Sequence, residues 1–483
     1  MARPLRRRRG RQQAGRSGTP GDASAAGGGT SGVIATSADA VAAYHDLLTG
    51  DVAAETQAQL ESQLRGRGLY FGDRPLCTVV RPRLMSPAQH RALQTGVARI
   101  ARAFGQAHQA AMADPAVRAQ FGLEPWEERL ISADPGFAEP SPTSRLDAFF
   151  LDDGTLRFTE YNAETPAGAG YNDALSTVFY GLPVMRRFLR RFDVRPLPAR
   201  HGVLRVLLDA YEQWGGRRSP PAVAILDWSD VPTYSEFLLF RDYFREQGVA
   251  CTIADPREVE YRDGRLRAGS FEITLIYKRV LLSELVSREG EDNPVLRAVR
   301  DGAVCMVNPI RCKLLHKKTS LAVLSDERNA GLFSDDDRAA IAAYIPWTRR
   351  MEERRTVFRG AQVDLVPFAL RSRDGLVLKP SDDYGGAGIV LGWEVDDSAW
   401  EAAVRTALAR PYIVQERIVL PSEPYPSVVD GQVEIRDRMF DTAPFVAHGE
   451  SVDGCLTRLS TAALLNVTAG GGSTVPTFVV EPR

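Results

Sequence analysis

The period of the apolar positions changes along the chain, and each change marks an element. Residues 36–125 carry apolar side chains at three- and four-residue spacing in "SADAVAAYHDLLTG" and "SPAQHRALQTGVARIARAFGQAHQAAMA", which predicts helices. Ser37 and Ser86 stand where N-caps belong. Between them "GRGLYFGDRPLCTVVRPRLM" reads as turn and strand. Residues 143–162 read as two strands joined by the turn "DDGT".

Residues 222–285 alternate strand and helix. "AVAILDW" and "ACTIAD" predict buried strands, and "FEITLIYKRVL" a later one. "VPTYSEFLLFRDYFREQGV" predicts a helix opened by a capping box from Thr233 to Glu236 and closed at Gly248. This is a small Rossmann-type α/β layer. No G-x-G-x-x-G follows its first strand, so it does not read as a dinucleotide site. Residues 309–345 predict helix. From 376 the pattern turns to strands in "GLVLKP", "GIVLGWEV", "PYIVQERIVLP" and "FVAHGESVDGCLTRLS". No internal repeat is visible.

At 483 residues the chain has room for two or three domains, with 44% hydrophobic and 25% charged residues. The formal net charge of −1 gives no global pull toward nucleic acid or anionic membrane. No apolar run approaches the ~18–20 residues needed to span a bilayer. Residues 1–35 are basic and Gly-rich without periodicity and predict a disordered tail. No apolar stretch follows its basic cluster, so no secretory signal is expected. Arg6–Arg9 read as solvated tail, with nucleic-acid contact as the competing reading. The five cysteines are odd in number and lack C-x-x-C spacing, which predicts free thiols in a reducing, cytoplasmic setting. The six histidines are scattered without H-E-x-x-H, so no zinc site is expected.

One compositional bias bears on chemistry. Of 60 basic residues only Lys278, Lys313, Lys317, Lys318 and Lys379 are lysine. The arginine excess reads as coding bias, which makes each lysine informative. Lys379 ends a strand in "VLKPSDDYGGAGIV", ahead of Gly385, Gly386 and Gly388. Glycines let backbone N–H groups approach phosphate oxygens, and a lysine adds a compact charge that an arginine fork cannot replace. The competing reading is a glycine-rich turn with an exposed lysine.

"RLDAFFLDDGTLRFTEYNAETPAG" supplies Asp147, Glu160 and Asn162. Glu160 and Asn162 lie two apart on one strand and share a face, and Asp147 joins them if the strands pair. Two carboxylates and an amide suit Mg²⁺ bridging phosphates. A solvated edge hairpin is the alternative, but asparagine disfavours strands and only six occur in the chain.

Lys-Pro, the Gly-rich loop, a strand "V-Q-E-x-I" and the D…E-x-N pattern together resemble the ATP-grasp superfamily. The E-x-N pattern here precedes the phosphate loop. That order resembles the circularly permuted ATP-grasp proteins, which include the synthetase domain of glutathionylspermidine synthetase. "HKKTSLAVLSD" resembles that group's "N-K-x-L-L-x-L-L" helix start. The resemblance spans roughly residues 65–483.

It implies an α/β (α+β) fold: helices and the metal-binding part over 36–220, a Rossmann-like layer over 221–315, and the nucleotide-binding and lid part over 316–483. It implies ATP and Mg²⁺, with Asp147, Glu160 and Asn162 as metal ligands and Lys379 on the α- and β-phosphates. Lys318 resembles the earlier nucleotide lysine, with Lys317 as competitor. Glu416, with the backbone of Gln415 and Ile418, resembles the adenine and ribose hinge, and Gly385–Gly388 the loop over the γ-phosphate. The implied activity is an ATP-dependent carboxylate–amine ligase working through an acylphosphate and releasing ADP and phosphate. Amino acids, peptides or polyamines are the implied small-molecule substrates. A phosphotransferase and a non-catalytic nucleotide-binding protein are the alternatives.

Two further stretches remain, "CLTRLSTAALLNVTAGGGSTVP" and "IYKR". Arg458, on a helix or loop, would stabilise the transferred phosphoryl group, or is a surface arginine. Asn466 and Gly470–Gly472 would form an anion-binding turn. Lys278 and Arg279 would hold a substrate carboxylate, or mark a surface strand end. The helix at 37–49 and the tryptophans read as packing.

Overall fold

Alternating and continuous apolar runs build three principal sheets, and the helices cover them. The computed structural model describes residues 37–216, 220–383, 385–462 and 472–483. The tail at 1–35, Asn466, Gly470 and Gly471 lie outside the described residues. All described residues belong to the second of two units, Met1–Ala35 and Thr36–Arg483.

The largest sheet has nine strands, and its central path runs Ser422–Val429, Gln432–Phe440, Ser451–Ser460, Ala443–Ala447, Thr143–Phe150, Leu156–Asn162. The strand Ser473–Pro482 joins Ser451–Ser460 to Arg83–Met85 and Phe192–Pro196. The chain thus pairs its early hairpin with its last third: Phe445 lies opposite Arg145. The helix Pro87–Ala113 packs on this sheet with Leu93, Val97, Ile100 and Phe104 fully buried. Ser86 is its N-cap, as expected, and forms a capping box with reciprocal bonds to Gln89.

The Rossmann-type layer is a four-stranded parallel sheet in the order Cys305–Val307, Leu275–Lys278, Ala222–Leu226, Ala250–Ala254. The stretch expected as one strand near 271–281 is two. Phe271–Ile273 closes a small antiparallel meander, and Leu275–Lys278 enters the parallel sheet. The Thr233–Glu236 capping box does not form: Thr233 makes no side-chain cap. Glu236 is fully buried instead, accepting from the N–H groups of Gly168 and Gly170 and pairing with Arg279 at 3.0 Å. Tertiary charge pairing has overridden the local cap.

A third sheet, Thr348–Arg350, Tyr412–Glu416, Leu376–Pro380, Val390–Leu391, carries Lys379. "GIVLGWEV" keeps only two residues of strand before a 3-10 turn at Gly392–Glu394. A Cβ at Gly392 would meet the Arg373 carbonyl oxygen at 2.0 Å, so only glycine fits there. The helical stretch at 309–345 breaks at Lys317–Lys318, between Cys312–His316 and Thr319–Ser325. That break turns both lysines toward the Lys379 strand, where the Lys318 N–H donates to the Ser381 carbonyl at 2.7 Å. All five cysteines are buried and free. Among the described residues no helix is long and apolar enough to cross a membrane.

Candidate active site

Residues of two sheets line a cavity of about 910 Å³, its open mouth included. From the nine-stranded sheet come Asp147, Glu160, Asp441 and Arg458; from the third sheet and its loop come Lys379, Gly385, Gly386, Gln415 and Glu416. Val377, Ile389, Leu391, Trp393, Ile418 and Leu420 form its apolar wall. A deep apolar pocket with a few convergent polar groups is the ordinary form of a small-molecule site.

The early hairpin places the acids. Asp147 lies directly opposite Glu160, and Arg145 opposite Asn162. Cross-strand partners share a face, so all four side chains stand together. Asp147 accepts from Arg145 at 2.7 Å and from Arg458 at 2.6 Å. Burial alone would raise its carboxyl pKa, but the two guanidinium groups outweigh that and hold it well below the usual range. Glu160 pairs with Lys318 at 2.8 Å; burial opposes its charge, and Lys318 still draws its pKa down.

Lys379 donates to Gln415 Oε1 at 2.7 Å and to the Thr159 carbonyl at 3.3 Å. Gln415 is fixed in turn by donating to Thr348 Oγ1 at 2.9 Å. Burial lowers the Lys379 pKa to about 8; Glu160 pulls it back up and Lys318 pushes it further down. Gly385, Gly386 and Gly388 all have positive φ, at 67°, 77° and 70°, which explains the glycine run after this strand.

Arg458 belongs to neither helix nor loop. It lies in the strand Ser451–Ser460, because "GCLTRLS" continues the alternating pattern of the sheet. Its Nε donates to Asp441 at 2.6 Å. Asp441 is raised above the usual carboxyl range by burial, which Arg458 offsets only in part, and the charge of Asp147 adds to the rise. Lys278 and Arg279 are not at a surface strand end. Both are buried, Lys278 beside Glu164 at 3.4 Å and Arg279 against Glu236.

Of the residues singled out from the sequence, Asp147, Glu160, Lys379, Gly385, Gly386, Gln415, Glu416, Ile418 and Arg458 line the cavity. Lys318 reaches it through Glu160. Gly388 lies behind the wall, within 3.0 Å of Tyr412 Oη if it carried a Cβ. Lys317 points away, to Glu127 at 2.9 Å and Asp382 at 3.0 Å. Asn162 is not among the described lining residues, yet it carries a buried amide nitrogen without a hydrogen-bond partner.

For a divalent cation, the two hard carboxylates Asp147 and Glu160 on one face fit, whereas the unpartnered atom of Asn162 is its amide nitrogen, a donor that does not ligate a cation. Lys318 and Arg458 already neutralise those acids, a task a cation would share. Among the described residues, however, no three His, Cys, Asp or Glu side chains cluster as a cation site.

The sequence reading missed Arg145, Asp441 and Trp393. Arg145 lies two residues before Asp147, hence on its face, a signal obscured by the abundance of arginine. It also missed Asn308, another rare asparagine. Asn308 donates to the carbonyls of Thr143, Ala163 and Glu164 at 2.7, 2.9 and 3.0 Å and so pins both ends of the acidic hairpin to the parallel sheet.

No family model matches the chain. A protein of Frankia alni named "Putative glutamate–cysteine ligase 2-3" is 29% identical over 286 residues, which cover 52% of this chain and 29% of that protein. The chain therefore spans less than a third of the length of the curated relative it matches. Among solved structures, a glutathione synthetase-like effector from Globodera pallida, in apo form, superposes with a TM-score of 0.57 at 11% identity, over 89% of this chain and 98% of that one. That likeness shows the fold, a mixed α/β fold like that of the glutathione synthetase-like effector.

Proposed function

We propose that the protein is an ATP- and Mg²⁺-dependent carboxylate–amine ligase. The observation that supports this most is the single cavity that unites an apolar wall, the Lys379 ammonium with its glycine loop, and the Asp147–Glu160 pair, on a glutathione synthetase-like fold. The relative's name as a glutamate–cysteine ligase agrees with amino acids or short peptides as substrates. Because the acidic hairpin precedes the Lys379 loop, we read the core as circularly permuted. Residues 36–220 then hold the acids, 221–315 the parallel layer and 316–483 the nucleotide.

In this reading the adenine lies on Trp393, Ile418 and Leu420, beside the Gln415–Ile418 backbone. Lys379 and the glycine loop hold the phosphates in line with the acceptor. Lys318 orients Glu160, and Mg²⁺ held by Asp147 and Glu160 would neutralise charge on the phosphate oxygens. A substrate carboxylate oxygen attacks the γ-phosphorus, and the bond to ADP breaks. An amine then attacks the resulting acylphosphate carbonyl, and phosphate leaves as the amine gives up a proton. Arg458 lies where it can stabilise charge on the transferred group.

Product analysis tests this. With candidate amino acids, peptides and polyamines, ATP should yield ADP and free phosphate only when carboxylate and amine are both present. Hydroxylamine in place of the amine should give a hydroxamate. ADP without free phosphate would indicate a phosphotransferase, and AMP would overturn the reading.

A further inference from the structure

Behind the glycine loop five segments meet in one buried set of charges. Asp382 lies between the Lys379 strand and the loop. Its two oxygens accept from Lys313 at 2.8 Å each, and one also accepts from Lys317 at 3.0 Å. Lys317 also pairs with Glu127 at 2.9 Å, and Lys313 with Glu164 at 3.3 Å. Glu164 lies two residues beyond Asn162 and takes Lys278 at 3.4 Å and the Leu282 N–H at 2.6 Å. Side chains of the three lysines, Glu127 and Glu164 are at most 2% exposed, whereas that of Asp382 is 23% exposed.

Three ammonium groups and three carboxylates balance. Such a set returns little net stability over apolar packing, because desolvation cancels most of the attraction. What it does supply is position. A carboxylate held by two ammonium groups has one orientation, and it stands just ahead of Gly385, Gly386 and Gly388, with the neighbouring Asp383 carbonyl accepting from Lys318 at 2.6 Å. At its far end Tyr412 Oη donates to the Gly388 carbonyl at 3.4 Å, the Ile389 N–H donates to the Gly386 carbonyl at 3.3 Å, and the chain passes into the strand Val390–Leu391 paired to the Lys379 strand.

We propose that Asp382 is the positioning residue of the glycine loop, clamped by Lys313 and Lys317 so that the loop starts at a fixed place relative to the Glu160 strand. What the loop then holds rests on the ligase reading; the clamp itself does not. Lys313 and Lys317 hold protein rather than phosphate, which leaves Lys379 lining the cavity and Lys318 reaching it through Glu160.

The test is Asp382→Asn in the full chain, with two readouts. In the nucleotide-free protein, amide hydrogen exchange at Gly385–Ile389 should quicken by roughly 10-fold or more, since loop opening sets that rate. Mg-ATP affinity should fall by roughly 10-fold, while AMP affinity stays unchanged, because only the outer phosphates depend on the loop. A general structural defect would weaken both nucleotides equally, and that result overturns the proposal. So does loop exchange at the wild-type rate. If wild-type protein binds no ATP, the ligase reading falls and the exchange measurement alone decides the clamp. If Asp382→Asn does not fold, Asp382→Glu carries the exchange comparison. Its extra methylene displaces the loop and should quicken exchange, and wild-type exchange there overturns the clamp.

Discussion

The buried charge cluster and the cavity use lysine in opposite ways. Lys313 meets Glu127, Glu164 and Asp382, and although burial opposes its charge, those acids raise its pKa above the ordinary lysine value. Among the described residues, the hydrogen-bond partners of Lys379 are an amide and a carbonyl oxygen, and its pKa falls to about 8. An ammonium saturated by carboxylates has no capacity left for a ligand. One desolvated, partly satisfied and facing a cavity gains the most from an incoming anion. Lys318 is intermediate, bound to Glu160 and to the Asp383 carbonyl at 2.6 Å. The same residue type thus serves architecture on one side of the helix break and the site on the other.

The comparison breaks first at Glu164. Glu164→Gln keeps volume but leaves Lys278 and Lys313 short of a buried countercharge. Stability should fall by about 3–5 kcal/mol, the usual result of removing one partner from a buried pair. Thermal melting checks this; a melting point close to wild type would show that the cluster is not under that electrostatic constraint. Folded Glu164 is held well below its ordinary pKa: burial opposes its charge, but Lys313 and Lys278 outweigh it. Its contribution is therefore present above the unfolded carboxyl pKa and is lost as pH falls below it.

The matching change on the cavity side is Glu160→Gln. It should leave melting nearly unchanged, because Glu160 borders a cavity and Lys318 keeps a second partner. Its expected effect lies in turnover, a loss of about 10²–10³-fold with Mg²⁺, the scale for removing one preorganised charge partner. Normal turnover at ordinary Mg²⁺ would make the acidic hairpin a solvated edge after all.

Lys379→Arg sharpens the contrast without removing charge. A planar fork presents different donor directions. Turnover should fall by about 10²-fold, since small misplacement can cost that much. Melting without nucleotide should barely move, and the stabilisation by Mg-ATP should shrink, because that increment follows affinity. Unchanged activity with an unchanged nucleotide shift would mean that Lys379 does not meet the phosphates.

How much of this was legible beforehand follows the same division. Lys379, its glycines and the strand Tyr412–Glu416 are local patterns, and a strand ending in Lys-Pro before glycines reads directly. Asp147 and Glu160 were legible because side-chain alternation is a property of one hairpin. The buried cluster was not, since residues 127, 164, 278, 313, 317 and 382 meet only through the tertiary fold. Glu236 shows the cost of reading locally: its spacing from Thr233 fits a cap, but buried Arg279 and two glycine N–H groups compete and win. Arg458 was read two ways, inside the strand "FVAHGESVDGCLTRLS" and on a helix or loop, because that strand runs into the stretch "STAALLNVTAGGG", whose composition suggests helix and loop; the strand reading holds.

The smallest expected effect concerns pH. Free Lys379 loses its proton near pH 8, below its ordinary value, chiefly through burial. Bound polyphosphate would favour the ammonium and raise that pKa, so binding should take up a proton. Mg-ATP affinity should therefore be flat below about pH 8 and decline above it, by at most about tenfold per pH unit. The stability of the nucleotide-free protein should respond with the opposite sign. Between the folded pKa and the ordinary lysine value the unfolded chain binds more protons, so the unfavourable burial of the charge is relieved as pH rises. Lys379→Arg should bind more weakly but with no decline above pH 8, because guanidinium stays charged throughout. Titrating Mg-ATP binding from pH 7 to 9.5 in both proteins separates the cases. A wild-type curve parallel to that of the arginine variant would mean that the Lys379 charge does not meet the phosphates.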